Sequence, residues 1–391
     1  MSVKTHIIYA IYHSNERTVF HVPAMTVSTN WRLTDIRAKS VGGDLTLQFL
    51  VGMNAIIKNI HLYAGNLPLD SLRNAHRWLS FKQLLRGNEN NAYIDHALSG
   101  TRYGFFLDYT NAANIPEIQQ IHTGHDFVEA NQASDSKNAW LSLRRALGLL
   151  NATNILPKID NLRLVIEWMP YNKALFRGTS AGVTGMTVAE PNLILDEIVG
   201  GSQSNSKIDY VSIEEDRIVV PAIDDGVINP IRQRLNGFNN KLVKRILLVN
   251  QVIANNATDT DGSSSQNEEI INVRLNGRSY LGTAIDTHNK KVAMCQDVWG
   301  SQNIAQGCQY DKLVGGVGGA TFLSALVNST RGVLSYGGLL INDRINDLEI
   351  EYQRTGNNDV RDAMGTSAFD LVVLAEVVKS FDVKAMNVKY L

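Results

Sequence analysis

Apolar residues along this chain come in short bursts, alternating with polar ones or running unbroken, and Gly, Asn, Asp and Pro cut the bursts apart. That pattern predicts strands, because a side-chain period of two puts every second residue on one face of a sheet. Leu45 to Val51, Arg163 to Trp168, Ile218 to Val220, Ile270 to Leu275, Leu348 to Tyr352, Leu371 to Val378 and Val388 to Tyr390 read as strands. Gly42-Gly43, Asp225-Gly226, Asn236-Gly237, Asp261-Gly262, Asn276-Gly277 and Gly337-Gly338 read as turns, since these residues tolerate positive φ. Helical spacing is confined to short inserts. Asp70 is placed to cap a helix over Ser71 to Arg86, with Leu72, Ala75 and Leu79 on one stripe and Gly87 as its stop. Ser136 is placed to cap a second, carrying Trp140, Leu143, Leu147 and Leu150, and a third covers Phe322 to Asn328. All three stripes are read as core packing.

Four stretches of the first half recur, in order, in the second. Arg17 to Ala24 is answered by Arg217 to Ala222, and Leu45 to Val51 by Val243 to Val249. Asn59 to Leu62, with Gly65 behind it, is answered by Asn272 to Leu275, with Gly277 behind it. Trp140 to Leu143 followed by Ile159 to Trp168 is answered by Phe322 to Ala325 followed by Ile345 to Tyr352. The shared order implies two copies of one β-rich domain, each too long for a solenoid repeat. The 391 residues then divide into a first domain over 1–175, a linker over 176–207 and a second domain over 208–391. Each copy is large enough to bury its own core. The linker has no strong period beyond one strand at Leu193 to Leu195, and 255–269 reads as a polar loop inside the second copy. Long helix-bearing insertions between strands, with no Cys-Trp-Cys core pattern, favour a jelly roll over an immunoglobulin sandwich. The expected fold class is all-β: two tandem eight-stranded jelly rolls with short helices inserted in the inter-strand loops.

Charge narrows the function classes. A formal net charge of −1 supplies no bulk field toward nucleic acid or an anionic membrane. Lys4, Arg17, Arg32, Arg37 and Lys39 are scattered singly and form no basic arm, so no direct sequence-specific nucleic-acid binding is expected. The first ten residues lack the basic start, apolar middle and cleavage site of a signal peptide. No run reaches the roughly 18 apolar residues of a membrane span. Two cysteines, Cys295 and Cys308, cannot build a disulfide framework, which points to synthesis in a reducing compartment and leaves the sequons at Asn151, Asn256 and Asn328 unused.

Candidate chemistry is sparse. Gly178, Ser180 and Gly182 match a nucleophile elbow, which needs a strand turning sharply into a helix. Here the preceding strand ends near Trp168, and His288 is the one histidine downstream, so a small-residue linker is the better reading. His122, His125 and Asp126 offer metal-ligand chemistry without a second cluster, and Cys295 and Cys308 lack the paired spacing of a zinc site. The glycines at 315, 316, 318 and 319 precede a helix but lack the Lys-Ser/Thr end of a P-loop, and Thr321 stands where a dinucleotide fingerprint needs glycine. Asp44, Asp108, Glu167, Asp297 and Glu349 are isolated carboxylates. Catalytic, cofactor-binding and metal residues are expected to be none, and so are cofactors. A tandem jelly roll is also a carbohydrate-binding or cupin-like architecture, but Trp31, Trp78, Trp140, Trp168 and Trp299 are spread along the chain, with Trp78 and Trp140 on expected helices.

The helix-then-strand unit from Trp140 to Trp168, Tyr336 to Asp343 leading into Leu348 to Tyr352, and the closing Leu371 to Tyr390 resemble the double jelly-roll major capsid proteins of tailless icosahedral DNA viruses. That lineage spans the adenovirus hexon, nucleocytoplasmic large DNA viruses, virophages and polinton-like viruses, and the chain looks most like the last two. The resemblance covers nearly the whole chain, is architectural, and carries no catalytic signature. It implies a non-enzymatic, self-assembling shell subunit: a homotrimer of pseudo-hexagonal outline that tiles an icosahedral shell. Implied partners are neighbouring capsomers, penton and minor capsid or cement proteins, and in some relatives an internal membrane. The implied location is the virion, after synthesis without a signal peptide in the host cytoplasm.

Overall fold

Strand formation follows the apolar bursts, and the same eight strand positions are traced twice. The structure is a computed structural model and describes residues 2–41, 46–47, 52–79, 128–129, 139–176, 184–200, 207–252, 269–280, 282, 284–286, 290, 339–356, 366 and 368–391. In the first half the strands of the jelly roll, short additional strands aside, are β1 (Ser2–Ile8), β2 (Arg17–Val22), β3 (Val27–Ser28 and Arg32–Ile36), β4 (Ile57–Ala64), β5 (Leu67–Leu72), β6 (Ala139–Ser142 and Ile155–Leu156), β7 (Leu162–Trp168) and β8 (Asn192–Val199). In the second half they are β9 (Lys207–Val220), β10 (Ile228–Arg234), β11 (Lys241–Val252), β12 (Glu269–Leu275), β13 (Arg278–Ser279), β14 (Leu339–Ile345), β15 (Leu348–Thr355) and β16 (Phe369–Asp382).

Pairing order makes each half a jelly roll. The first half has sheets β1-β8-β3-β6 and β2-β7-β4-β5; the second has β9-β16-β11-β14 and β10-β15-β12-β13. Each strand therefore corresponds to the one eight places later. The inward faces interdigitate in the usual alternation. Phe20, Leu62, Leu164 and Ile166 from one sheet meet Leu33, Leu193 and Leu195 from the other in the first core. Val273, Ile350 and Tyr352 meet Ile218, Leu248 and Val373 in the second.

The ends of each sandwich differ. At one end the turns are tight and tied together. Gly65, at φ 58°, turns β4 into β5, and its N–H donates to the carbonyl of Asn161 ahead of β7 at 3.0 Å. In the second roll Asn276 and Gly277, at φ 52° and 78°, turn β12 into β13. Asn276 donates to Asp347 O at 2.8 Å, and its side-chain oxygen accepts from Asn346 and Asp347 N–H at 2.9 and 3.1 Å. Positive φ at paired turns is the position that Asn and Gly fill at least cost. The connections after β3, β5, β11 and β13, which hold the long insertions, all leave from the opposite end.

Several expectations change. The stretch expected as a linker carries two strands: Gly185–Val188 pairs with Ala38–Val41, and β8 pairs with both β1 and β3. A sheet whose central position would otherwise stand empty recruits this apolar run. We propose that the first roll extends to Gly200 and the second begins at Lys207. Ser71 and Leu72 belong to β5, so Asp70 caps no helix there; a helical turn starts only at Ala75, and 80–86 lie outside the described residues. Trp140 lies on a strand, not a helix, and is 42% exposed, while Leu143, Leu147 and Leu150 do fill the core. Asn236-Gly237 sits in a 3-10 turn, with the positive φ at Asn240 instead. Of Leu45 to Val51, Thr46–Leu47 is a strand, paired with Leu175–Phe176. The helix over Phe322 to Asn328 and the loop at 255–268 lie outside the described residues.

Candidate functional site: the junction of the two sandwiches

The strand β16 explains why the halves are joined rigidly. Its sequence runs almost unbroken in apolar residues, as expected for a strand covered on both faces. Phe369, Leu371, Val373, Ala375 and Val377 fill the second core. Val372 and Leu374 point the other way and, with Leu247 of β11 and Ile208, Tyr210 and Phe381, are continuous with the first roll's core. Apolar side chains of this size contribute about 1.5–3 kcal/mol each when buried, so a junction built on six of them is a fixed contact rather than a hinge.

Polar groups set its register. Helix α1 (Gly148–Ala152), inserted in β6, lies against β9 so closely that a Cβ on Gly148 would stand 1.6 Å from Val211 O. Its N-cap residue, Leu147, has no side chain that can cap. Asp70 from β5 does the work, accepting from Leu149 N–H at 2.9 Å and Ser71 N–H at 2.8 Å. From the other roll Ser212 donates to Asp70 at 2.8 Å, and Lys379 Nζ donates to Ser212 Oγ at 3.2 Å. Tyr210 donates its hydroxyl to Leu69 O, and Glu215 accepts from Asn74 at 2.9 Å and from Arg77. Burial raises the Asp70 and Glu215 carboxyls against these donors, and raises the Tyr210 hydroxyl with help from the Asp70 charge. His76, buried beside Arg77, is held down at about 3 and stays neutral.

A second charged cluster anchors the C-terminal strand Asn387–Tyr390 to β9. Burial pushes the Glu214 carboxyl up, but Lys241 at 2.5 Å, Lys379 at 3.2 Å and the Tyr390 hydroxyl at 2.9 Å outweigh it and leave it below the usual carboxylate range. A depressed carboxyl contributes stability above its unfolded-state value and loses it as pH falls. Glu214→Gln is therefore expected to lower unfolding free energy by about 2 kcal/mol at pH 7. The deficit should shrink only as pH falls below the ordinary carboxylate range and through the depressed native value, where the native carboxyl also takes up its proton. Denaturant titrations at pH 7 and below that range check this; a pH-independent deficit would contradict it.

Of the residues singled out for chemistry, Ser180, His288, His122, His125, Asp126, Cys295, Cys308, Asp44, Asp108, Asp297 and the 315–319 glycines lie outside the described residues. Glu167 accepts from Asn59 at 2.6 Å. Glu349 is buried on the outer face of the β15 sheet, within 2.6–3.9 Å of Arg232, Arg234 and Arg274. Among the described residues no group of three or more His, Cys, Asp or Glu could hold a metal, and no helix is long and apolar enough to cross a membrane. Sequence reasoning missed the junction residues. A glycine inside an apolar helical stripe, Gly148, was the available sign of a close approach.

No protein-family model matches this chain, and no curated protein matches it. Solved structures do. PBCV-1 VP54, in a crystal structure fitted into a reconstruction of the virophage Sputnik, superposes with a TM-score of 0.57 at 12% identity, over 100% of this chain and 97% of that one. The Sputnik virophage structure at 3.5 Å superposes at 0.52 and 10% identity, over 100% of this chain and 88% of that one. The mavirus major capsid protein superposes at 0.52 and 10% identity, over 98% and 89%. At such identities the likeness is one of fold: the chain has the double jelly-roll fold of viral major capsid proteins.

Proposed function

We propose that this chain is a major capsid protein that assembles as a homotrimer, six jelly rolls forming a near-hexagonal capsomer that tiles an icosahedral virion shell. Neighbouring capsomers are its principal partners, with penton and minor capsid proteins at special positions. The role is structural, and no catalysis is assigned to it.

One observation carries the trimer. Strand β9 is covered by α1 and β5 of the first roll, whereas its counterpart β1 has no such cover among the described residues. Val3 is 65% and Ile7 54% exposed on β1, and Tyr9 and Ile11 continue the strip. Contiguous exposed apolar surface of this kind marks an interaction site. The second roll of a neighbouring copy would lie on β1 as the first roll lies on β9. Repeating that head-to-tail contact closes a ring when the rotation permits. Light scattering with negative-stain images of the purified chain tests it. Three times the single-chain mass with a hexagonal outline is the expected result, and a stable monomer at micromolar concentration would overturn the reading.

A further inference from the structure

The two rolls differ at one equivalent place, the end from which the long insertions leave. In the second roll, the chain after β15 is zipped to the β9–β10 connection. Gly226 N–H donates to Gly356 O and Gly356 N–H to Val227 O, both at 2.9 Å. A Cβ on Gly356 would stand 2.0 Å from Asp224 O, and buried Arg354 donates to Pro221 O at 2.7 Å. That corner is closed. In the first roll the matching zip stops after one bond, Trp168 N–H to Glu16 O at 2.9 Å. Pro170, which has no N–H to continue it, then leads into a short helix, Tyr171–Ala174. A cleft of about 540 Å³ opens where the second roll has backbone.

Its walls are hydrogen-bonded and its charges balanced. Ser14 Oγ accepts from Glu16 and Arg17 N–H at 3.3 and 3.2 Å, and Asn15 Oδ1 accepts from Val188 N–H at 3.0 Å. Arg17, Lys58, Glu16 and Glu167 line the cleft with Tyr12, and none of the four charged groups is ion-paired with a described residue. Tyr12 is half exposed, with the Arg17 guanidinium 5.5 Å from its ring centre. An anion would meet two carboxylates and a cation two basic groups. A neutral polyhydroxyl compound satisfies both, since every hydroxyl donates and accepts, and the Tyr12 ring offers a flat wall to its C–H face. The volume lies within the roughly 300–1,000 Å³ of small-molecule sites.

We infer that this cleft is a binding site for a neutral saccharide, of the kind displayed as terminal hexose or N-acetylhexosamine on a glycan. The inference is independent of the assembly proposed above. The test is retention of the full chain on an array of neutral, sialylated and sulfated glycans, followed by calorimetric titration with the free neutral sugar retained best. Glu16→Ala combined with Lys58→Ala, and separately Tyr12→Ala, should each weaken binding at least tenfold, the loss of a hydrogen bond to a charged group or of a stacking wall, with unfolding midpoints unchanged. Arg278→Ala, on the second roll, should bind as the parent does. No retention on neutral glycans, retention on anionic glycans alone, or affinity undiminished in both cleft variants would overturn the assignment.

Discussion

Replacing Gly148 with alanine is expected to destabilise the protein by about 3 kcal/mol, the upper part of the range for overpacking a closed contact. The added Cβ would stand 1.6 Å from Val211 O and 2.6 Å from its carbonyl carbon. Both obstacles are backbone, and Val211 is held in β9 by pairing with Val378 of β16, so the sheet cannot give way. Helix α1 must move instead. That pulls Leu149 N–H from Asp70 and lifts Leu149 and Leu150, both fully buried, out of the core. Denaturant unfolding followed by intrinsic fluorescence should show a lower midpoint, with a second transition if the rolls come apart before they unfold. Gly185→Ala is the control, since its Cβ would meet only Val41, at 3.8 Å, and should change stability by no more than about 0.5 kcal/mol. Equal midpoints for the two variants would mean that α1 does not set the junction.

The second large effect is expected on assembly. If the chain assembles as proposed, Val3→Glu with Ile7→Glu should convert the proposed trimer to a folded monomer, read as a threefold fall in mass by light scattering. Both side chains are more than half exposed in the single chain, so the roll itself tolerates the change. At an interface the same carboxylates would be buried without partners, which costs several kcal/mol per ion. Three equivalent contacts would each carry that penalty. A variant that remains trimeric would move the subunit contact away from β1.

At the tight turn between β12 and β13 the sequence was legible, whereas at Asn236-Gly237 it was not. Asn276-Gly277 makes the turn it suggests, and Gly65 occupies the same corner of the first roll. The matches of Asn59 to Leu62 with Asn272 to Leu275, and of Ile159 to Trp168 with Ile345 to Tyr352, align true counterparts, β4 with β12 and β7 with β15. These stretches are fixed by turns that accept few residue types. The other two matches slipped. Arg17 to Ala24 is β2, whereas Arg217 to Ala222 closes β9; the counterpart of β11 is β3, not Leu45 to Val51. Alternating apolar strings are interchangeable at the level of local pattern, so they recur without being equivalent.

The sequence by itself thus determined the β class, the turns at Asp225-Gly226 and Asn276-Gly277 and the presence of two copies, because strand period and turn chemistry are local properties; the turns expected at Gly42-Gly43, Asp261-Gly262 and Gly337-Gly338 lie outside the described residues. The tertiary structure alone decided that β8 completes the first sheet, that Asp70 caps a helix 79 residues away, that β16 is covered on both faces, and that one roll keeps an open cleft where the other is closed. Each depends on which distant segments meet, and a pattern that repeats every two residues cannot specify its partner across the chain.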